Sequence, residues 1–174
     1  PSFVPVAMEA FEDHMRRENQ FGRTLRGVQV GEEGMLRAPR GSFTSEGLRL
    51  NVAVSLRYIA SWLAGRGCVP IFGQMEDAAT AEIARSQIWH WLRHETALEG
   101  GELVTRELVE RCIQEELATF VAELDVACPE WSTVEQAAAL LSELATGSHF
   151  HEFLTLPAYA RLRQDSDRAP AAEG

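Results

Sequence analysis

The sequence predicts an all-α protein built as a bundle of about five helices, and three observations predict it. Apolar residues recur at spacings of three and four along most of the chain, the period of a helix with one buried face. No stretch shows the sustained alternation of apolar and polar residues that marks a half-buried strand. Gly, Pro and the capping residues Ser, Thr and Asp fall between the periodic stretches, where helices start and stop. With 45% hydrophobic and 24% charged residues, the 174-residue chain has the composition of a globular protein able to bury one sizeable core.

The first element spans the start of the chain. Phe3, Val4, Ala7, Met8, Phe11 and Met15 form an apolar stripe, with Glu9, Glu12 and Asp13 on the wet side. Residues 1–18 are assigned to this helix. Residues 19–43 lack a sustained period and are interrupted at Gly31, Gly34, Pro39 and Gly41, so they read as a long, partly ordered loop. A helical domain over residues 44–162 follows.

Thr44 or Ser45 caps the first helix of that domain, Leu48, Val52, Leu56, Ile59 and Leu63 form its buried stripe, Trp62 joins them, and Gly65 and Gly67 stop it. Residues 68–73, CVPIFG, are apolar but punctuated by Pro and Gly, which makes a connector. The next helix turns Ile83, Ile88, Trp91 and Leu92 to the core and carries His90, Arg93 and His94 in its last turns, where cations suit the negative end of the dipole. Gly100 and Gly101 turn the chain, and Thr105 opens a helix lined by Leu108, Val109, Cys112, Ile113, Leu117, Phe120, Val121 and Leu124 that ends before Pro129. Ser132 and Glu135 read as a capping box for a helix buried through Leu140, Leu141 and Leu144 and stopped at Gly147. A short last element runs over residues 150–159 with Pro157 in its opening turn, and residues 163–174 read as a frayed tail.

The most informative stretch is residues 74–85, QMEDAATAEIAR, where the connector becomes a helix. Asp77 stands at the N-cap position. There its side chain accepts backbone N–H bonds and feels the positive end of the helix dipole, which keeps it ionised and fixed, as a general base requires. Spacing alone leaves a purely structural cap as the commoner role of such an Asp.

Residues 75–85 resemble the signature near the C-terminus of the malate synthases, and other blocks follow in the same order. PSFVPVAMEAFEDHM at residues 1–15 is similar to that family's HPxLVPIAMExFDxHM, GSFTSEGLRLNVAVSLRYIASWL at 41–63 to its GxxTExGLRxNIxVxxxYLxxWL, and FLTLPAY at 153–159 to its closing motif. The resemblance implies the C-terminal helical domain of a malate synthase A type enzyme, preceded by what resembles the last helix of a TIM barrel whose remainder is not in this sequence. Without barrel neighbours, that first helix is expected to expose Phe3, Val4, Met8 and Phe11.

The implied activity is acyl transfer: acetyl-CoA, glyoxylate and water give malate and CoA in the glyoxylate cycle. Asp77 matches the family's catalytic base, which takes a proton from the acetyl methyl group. Met75 matches a residue of the acetyl-CoA passage, Cys68 a thiol near the site in some members, and Pro1 a proline at the barrel mouth. The enolate is stabilised by an Arg and by Mg²⁺ held on the barrel, and neither maps onto this chain, which carries no metal ligand of its own. The isolated chain is therefore expected to be inactive, its partner being the TIM-barrel domain of the same polypeptide. Gln74 replaces the usual Leu and Ala84 the usual Ser, changes that flank the base without replacing it. The alternative is a free-standing helical interaction module, descended from the enzyme and retained for binding.

The other chemical candidates are weaker. Glu76 reads as a solvated neighbour of the base, and His149 and His151 as a solvated loop pair without partners at zinc spacing. Trp62 and Trp91 fall on core stripes, whereas Trp89 lies on another face that could meet the barrel. Cys68, Cys112 and Cys128 are an odd set of free thiols suited to a reducing compartment, with Cys68 expected to be a buried small hydrophobe. The 26 acidic residues outnumber 16 basic ones, all Arg, and the net charge of −10 offers no basic face for nucleic acid. No stretch has the length of a membrane span, no secretory signal pattern appears, and the last residues are not Ser-Lys-Leu, so the expectation is a bacterial cytoplasm.

Overall fold

The computed structural model describes residues 3–15, 22, 27, 29–37, 41–124 and 131–168. It divides into two units, residues 1–40 and 41–174. In the first, helix α1 (Val4–His14) has Pro near its start, where the missing N–H costs nothing. None of its residues is buried, and Phe3, Val4, Met8 and Phe11 are exposed, as expected from the sequence. A one-turn helix, α2 (Glu32–Leu36), lies within the stretch read as loop and carries Glu32 and Glu33 in its first turn.

The second unit is organised around α3 (Ser45–Leu63). The Thr44 hydroxyl accepts the Gly47 N–H at 2.9 Å, and the helix closes with Gly65 at φ +85°, whose N–H reaches the Trp62 carbonyl while that of Arg66 reaches Ser61. The predicted stripe of Leu48, Val52, Leu56, Ile59 and Leu63 is buried, and so are Ala53, Tyr58, Ala60 and Ser61 on other sides. Four further helices pack around or beside it: α4 (Ala78–Arg93), α5 (Arg106–Glu123), α6 (Trp131–Thr146) and α7 (Thr155–Arg168). Leu56, Ile59, Ile88, Ile113, Leu141 and Leu144 meet in one core, with Trp91 and Leu117 half-buried against it. Among the described residues no helix is long and apolar enough to cross a membrane.

Several local expectations are corrected. The connector before α4 is a two-stranded antiparallel hairpin, β1 (Val69–Ile71) and β2 (Gln74–Glu76), and strands of three residues are too short to display an alternation. The described part of α6 spans Trp131–Thr146, so the backbone at Ser132 is already helical where the sequence suggests a cap. α7 runs to Arg168, past Leu162 into the stretch read as a frayed tail; residues 169–174, Pro1, Cys128 and Pro129 lie outside the described residues. Ile83 is 59% exposed, because Ala81, Ala84, Arg85 and Ile88 take the inward positions of α4.

Arg85 is the unusual member of that set, a cation only 1% exposed. Its Nε donates to Glu82 Oε2 at 2.7 Å, and its Nη2 donates to the carbonyl oxygens of His151 and Glu152 at 2.6 and 3.2 Å. The guanidinium lies 4.3 Å from the centroid of Phe150. Glu82 completes the clamp, since its other oxygen accepts the Leu154 N–H at 2.6 Å. The pair thereby ties α4 to the segment that leads into α7. Glu82→Ala leaves a buried guanidinium without its counter-charge and should lower the unfolding free energy by about 3 kcal/mol; a loss below about 1 kcal/mol in denaturant titration would assign the segment's anchoring to other contacts.

Candidate functional site

Asp77 sits where β2 hands the chain to α4, with extended backbone (φ −124°, ψ −173°). One carboxylate oxygen does all the capping: Oδ1 accepts from the Ala79 N–H (2.9 Å), the Thr80 N–H (3.2 Å) and the Thr80 hydroxyl (3.2 Å). Thr80 closes the box, its hydroxyl oxygen also accepting the Asp77 N–H at 3.4 Å. Oδ2 has no hydrogen-bond partner among the described residues, and the residue is exposed. The result is a carboxylate held through one oxygen at the positive end of a helix dipole, with the other oxygen turned to whatever approaches.

The hairpin places the neighbouring candidates. Its register pairs Val69 with Glu76, Pro70 with Met75 and Ile71 with Gln74. Cross-strand partners share a face, and faces alternate along a strand. Continuing the register by one residue sets Cys68 opposite Asp77, so Cys68, Pro70, Met75 and Asp77 belong to one face, all four exposed. The other face turns toward the bundle, with Ile71 buried and Val69 and Glu76 half-buried. Three of the four residues singled out from the sequence thus come together, and Pro1 is outside the described residues. Cys68 is exposed and not the buried hydrophobe expected, because the apolar run that contains it is a hairpin with an outer face.

Beneath the hairpin lies Tyr58, buried on α3, its hydroxyl donating to the Gly67 carbonyl at 3.2 Å. Burial pushes the Tyr58 pKa up, and the charges of Cys68, Asp77 and Glu82 push in the same direction, so the phenol stays protonated and keeps that bond at neutral pH. Sequence reasoning missed both Tyr58 and Thr80. An Asp followed three residues later by Thr is a readable capping signal, whereas nothing local marks Tyr58.

Elsewhere, Trp89 anchors within the chain: its indole N–H donates to the Gly147 carbonyl at 3.0 Å, and its ring lies edge-on to Phe150. His149 and His151 are ring neighbours at 5.2 Å. Among the described residues no group of His, Cys, Asp and Glu could hold a metal ion. A cleft of about 410 Å³ runs along α4 past Ile83, Arg85, Phe150 and Phe153, but Asp77 does not line it.

Residues 42–162 match the family model described as "Malate synthase, C-terminal". A malate synthase of Myxococcus xanthus (strain DK1622) is 41% identical over 162 residues, covering 93% of this chain and 30% of the relative. The glyoxysomal malate synthase of Zea mays is 43% identical over 165 residues (91% and 30%), and malate synthase A of Escherichia coli (strain K12) is 37% identical over 165 residues (93% and 31%). The chain thus spans about three-tenths of the length of these relatives.

The Thr80 hydroxyl can be tested without touching the carboxylate. Thr80→Val keeps the shape and removes both of its bonds, which should destabilise the chain by about 1 kcal/mol. Amide exchange at Ala79 should quicken as the Asp77 side chain loosens, and unchanged exchange there would show that the backbone bonds alone fix it.

Proposed function

The chain belongs to the malate synthase family, and on that premise we propose that Asp77 is the general base of a condensation between acetyl-CoA and glyoxylate, carried out by the complete polypeptide. The observation that carries the reading is the division of labour within one carboxylate, Oδ1 held by Ala79 and Thr80 and Oδ2 free on the same exposed face as Met75 and Cys68.

In the proposed reaction Oδ2 accepts a proton from the acetyl methyl group. The resulting enolate carbon bonds to the aldehyde carbon of glyoxylate, whose oxygen takes up a proton to become the malate hydroxyl. Water then cleaves the thioester and releases CoA. A carbon acid gives up its proton slowly, so the base needs a fixed attitude and a site that excludes water. The capping bonds supply the first. The second falls to groups that cover the hairpin's outer face, where Met75 offers a flexible apolar contact for the acetyl arm. Mg²⁺, which the family resemblance implies, finds no donor set among the described residues, and no step assigned to this chain depends on it.

Two measurements test the proposal. With the upstream sequence restored, Asp77→Asn should preserve the cap, cost no more than about 1 kcal/mol of stability and lower kcat by 10² to 10⁴ or more, the usual worth of a general base. Glyoxylate-dependent release of free CoA thiol is the assay, with Glu76→Gln as a control that keeps most of the rate. A correctly folded complete polypeptide without turnover, or one in which Glu76→Gln is dead and Asp77→Asn is active, overturns the assignment. Residues 1–174 alone should form no malate above background, and measurable turnover by the purified chain would place all of the machinery within it.

A further inference from the structure

A base on a hairpin is aimed only as well as the hairpin is held. β1 and β2 have three residues each, and a two-stranded ribbon is at best marginally stable in water. The turn between them makes matters worse. Phe72 and Gly73 are its two central residues, at φ +48° and +79°, the geometry of a type I′ turn. Glycine suits such a φ, but a bulky aromatic is strained there, and Asn or Asp is the usual first residue of this turn. Burial does not account for Phe72 either, since it is 61% exposed.

What Phe72 has is Arg57. This residue rises from the middle of α3 with a side chain only 12% exposed, and its guanidinium carbon lies 5.0 Å from the Phe72 centroid and 4.7 Å from that of Phe120. The edge of the guanidinium is taken up by α5: Nε and Nη2 reach Glu116 Oε1 at 2.8 Å, and Nη1 reaches Glu123 Oε2 at 2.6 Å. Carboxylates thus orient the plane and leave its faces to aromatic rings. One side chain joins α3, α5 and the tip of the hairpin.

We propose that Arg57 is a positioning residue for Asp77, its guanidinium fixed on α5 by Glu116 and Glu123 and clamping Phe72, so that β2 delivers Met75 and Asp77 at a set height above the bundle. The catalytic consequence rests on the reading of Asp77 as the base; the mechanical one does not.

Two substitutions separate the clamp from turn chemistry. Arg57→Met keeps length and apolar contact but removes the charge and the fork, and Phe72→Asn suits the turn better yet removes the ring. In the 174-residue chain, each should raise amide exchange over residues 69–76 by about tenfold, leave the amides of α3 and α6 unchanged, and combine to no more than the larger single effect. Slower or unchanged exchange in Phe72→Asn, effects that multiply in the double variant, or equal loosening of α3 and α6 would overturn the clamp. In the complete polypeptide both variants should lower kcat by about tenfold, with a smaller rise in KM. A looser hairpin with undiminished kcat, or a rise confined to KM, would overturn the positioning role. If Asp77→Asn itself keeps its turnover, the base assignment fails, and the exchange data still decide the clamp.

Discussion

The constraint on which this structure depends is the burial of α3 on most of its circumference. A helix with partners on several sides cannot tilt or rotate without opening the core, so its polar side chains project from a fixed frame. Two consecutive residues use that frame. Arg57 reaches the tip of the hairpin and Tyr58 its root, through Phe72 and the Gly67 carbonyl respectively. The candidate site is a surface feature whose position is set from a helix buried on several sides.

With no lysine in the chain, every side-chain cation except a protonated histidine is a planar fork, and the structure uses several of them on backbone carbonyls. Arg106 bonds the Thr146 hydroxyl and carbonyl, Arg93 joins Trp89 on the Gly147 carbonyl, Arg161 takes that of Gln136, and Arg85 takes two carbonyls ahead of α7. The C-terminal end of α6 is thus closed by side chains from two other helices. Such bonds couple elements distant in sequence, and at the buried Arg85 the Glu82 carboxylate offsets the charge that burial would otherwise penalise.

Long-period features were legible in the sequence because they are repeated many times. The stripe of α3 needs no single residue to be right, and Thr44, Asp77 and Thr105 are caps whose signal lies in the local chemistry that makes them caps. What stayed hidden depended on distant partners or on too few residues. Arg85 faces inward and Ile83 outward, an inversion that depends on carbonyls 66 and 67 residues further on. The hairpin is three residues a side with an aromatic where turn chemistry favours Asn, so its strands look like a connector and its Cys68 like part of a buried run. Asp77, Met75 and Cys68 could each be picked out singly, but that they share one face follows only from the register.

The two-way bond between Asp77 and Thr80 also joins the carboxylate to the first turn of α4 as one rigid piece. Its rotamer is chosen when the chain folds, so no orientational search remains for the moment a substrate arrives. Helix ends, however, open at far lower free energy than cores. On warming, the aim of this carboxylate should blur as the first turn of α4 frays, while the bundle around α3 is still fully folded.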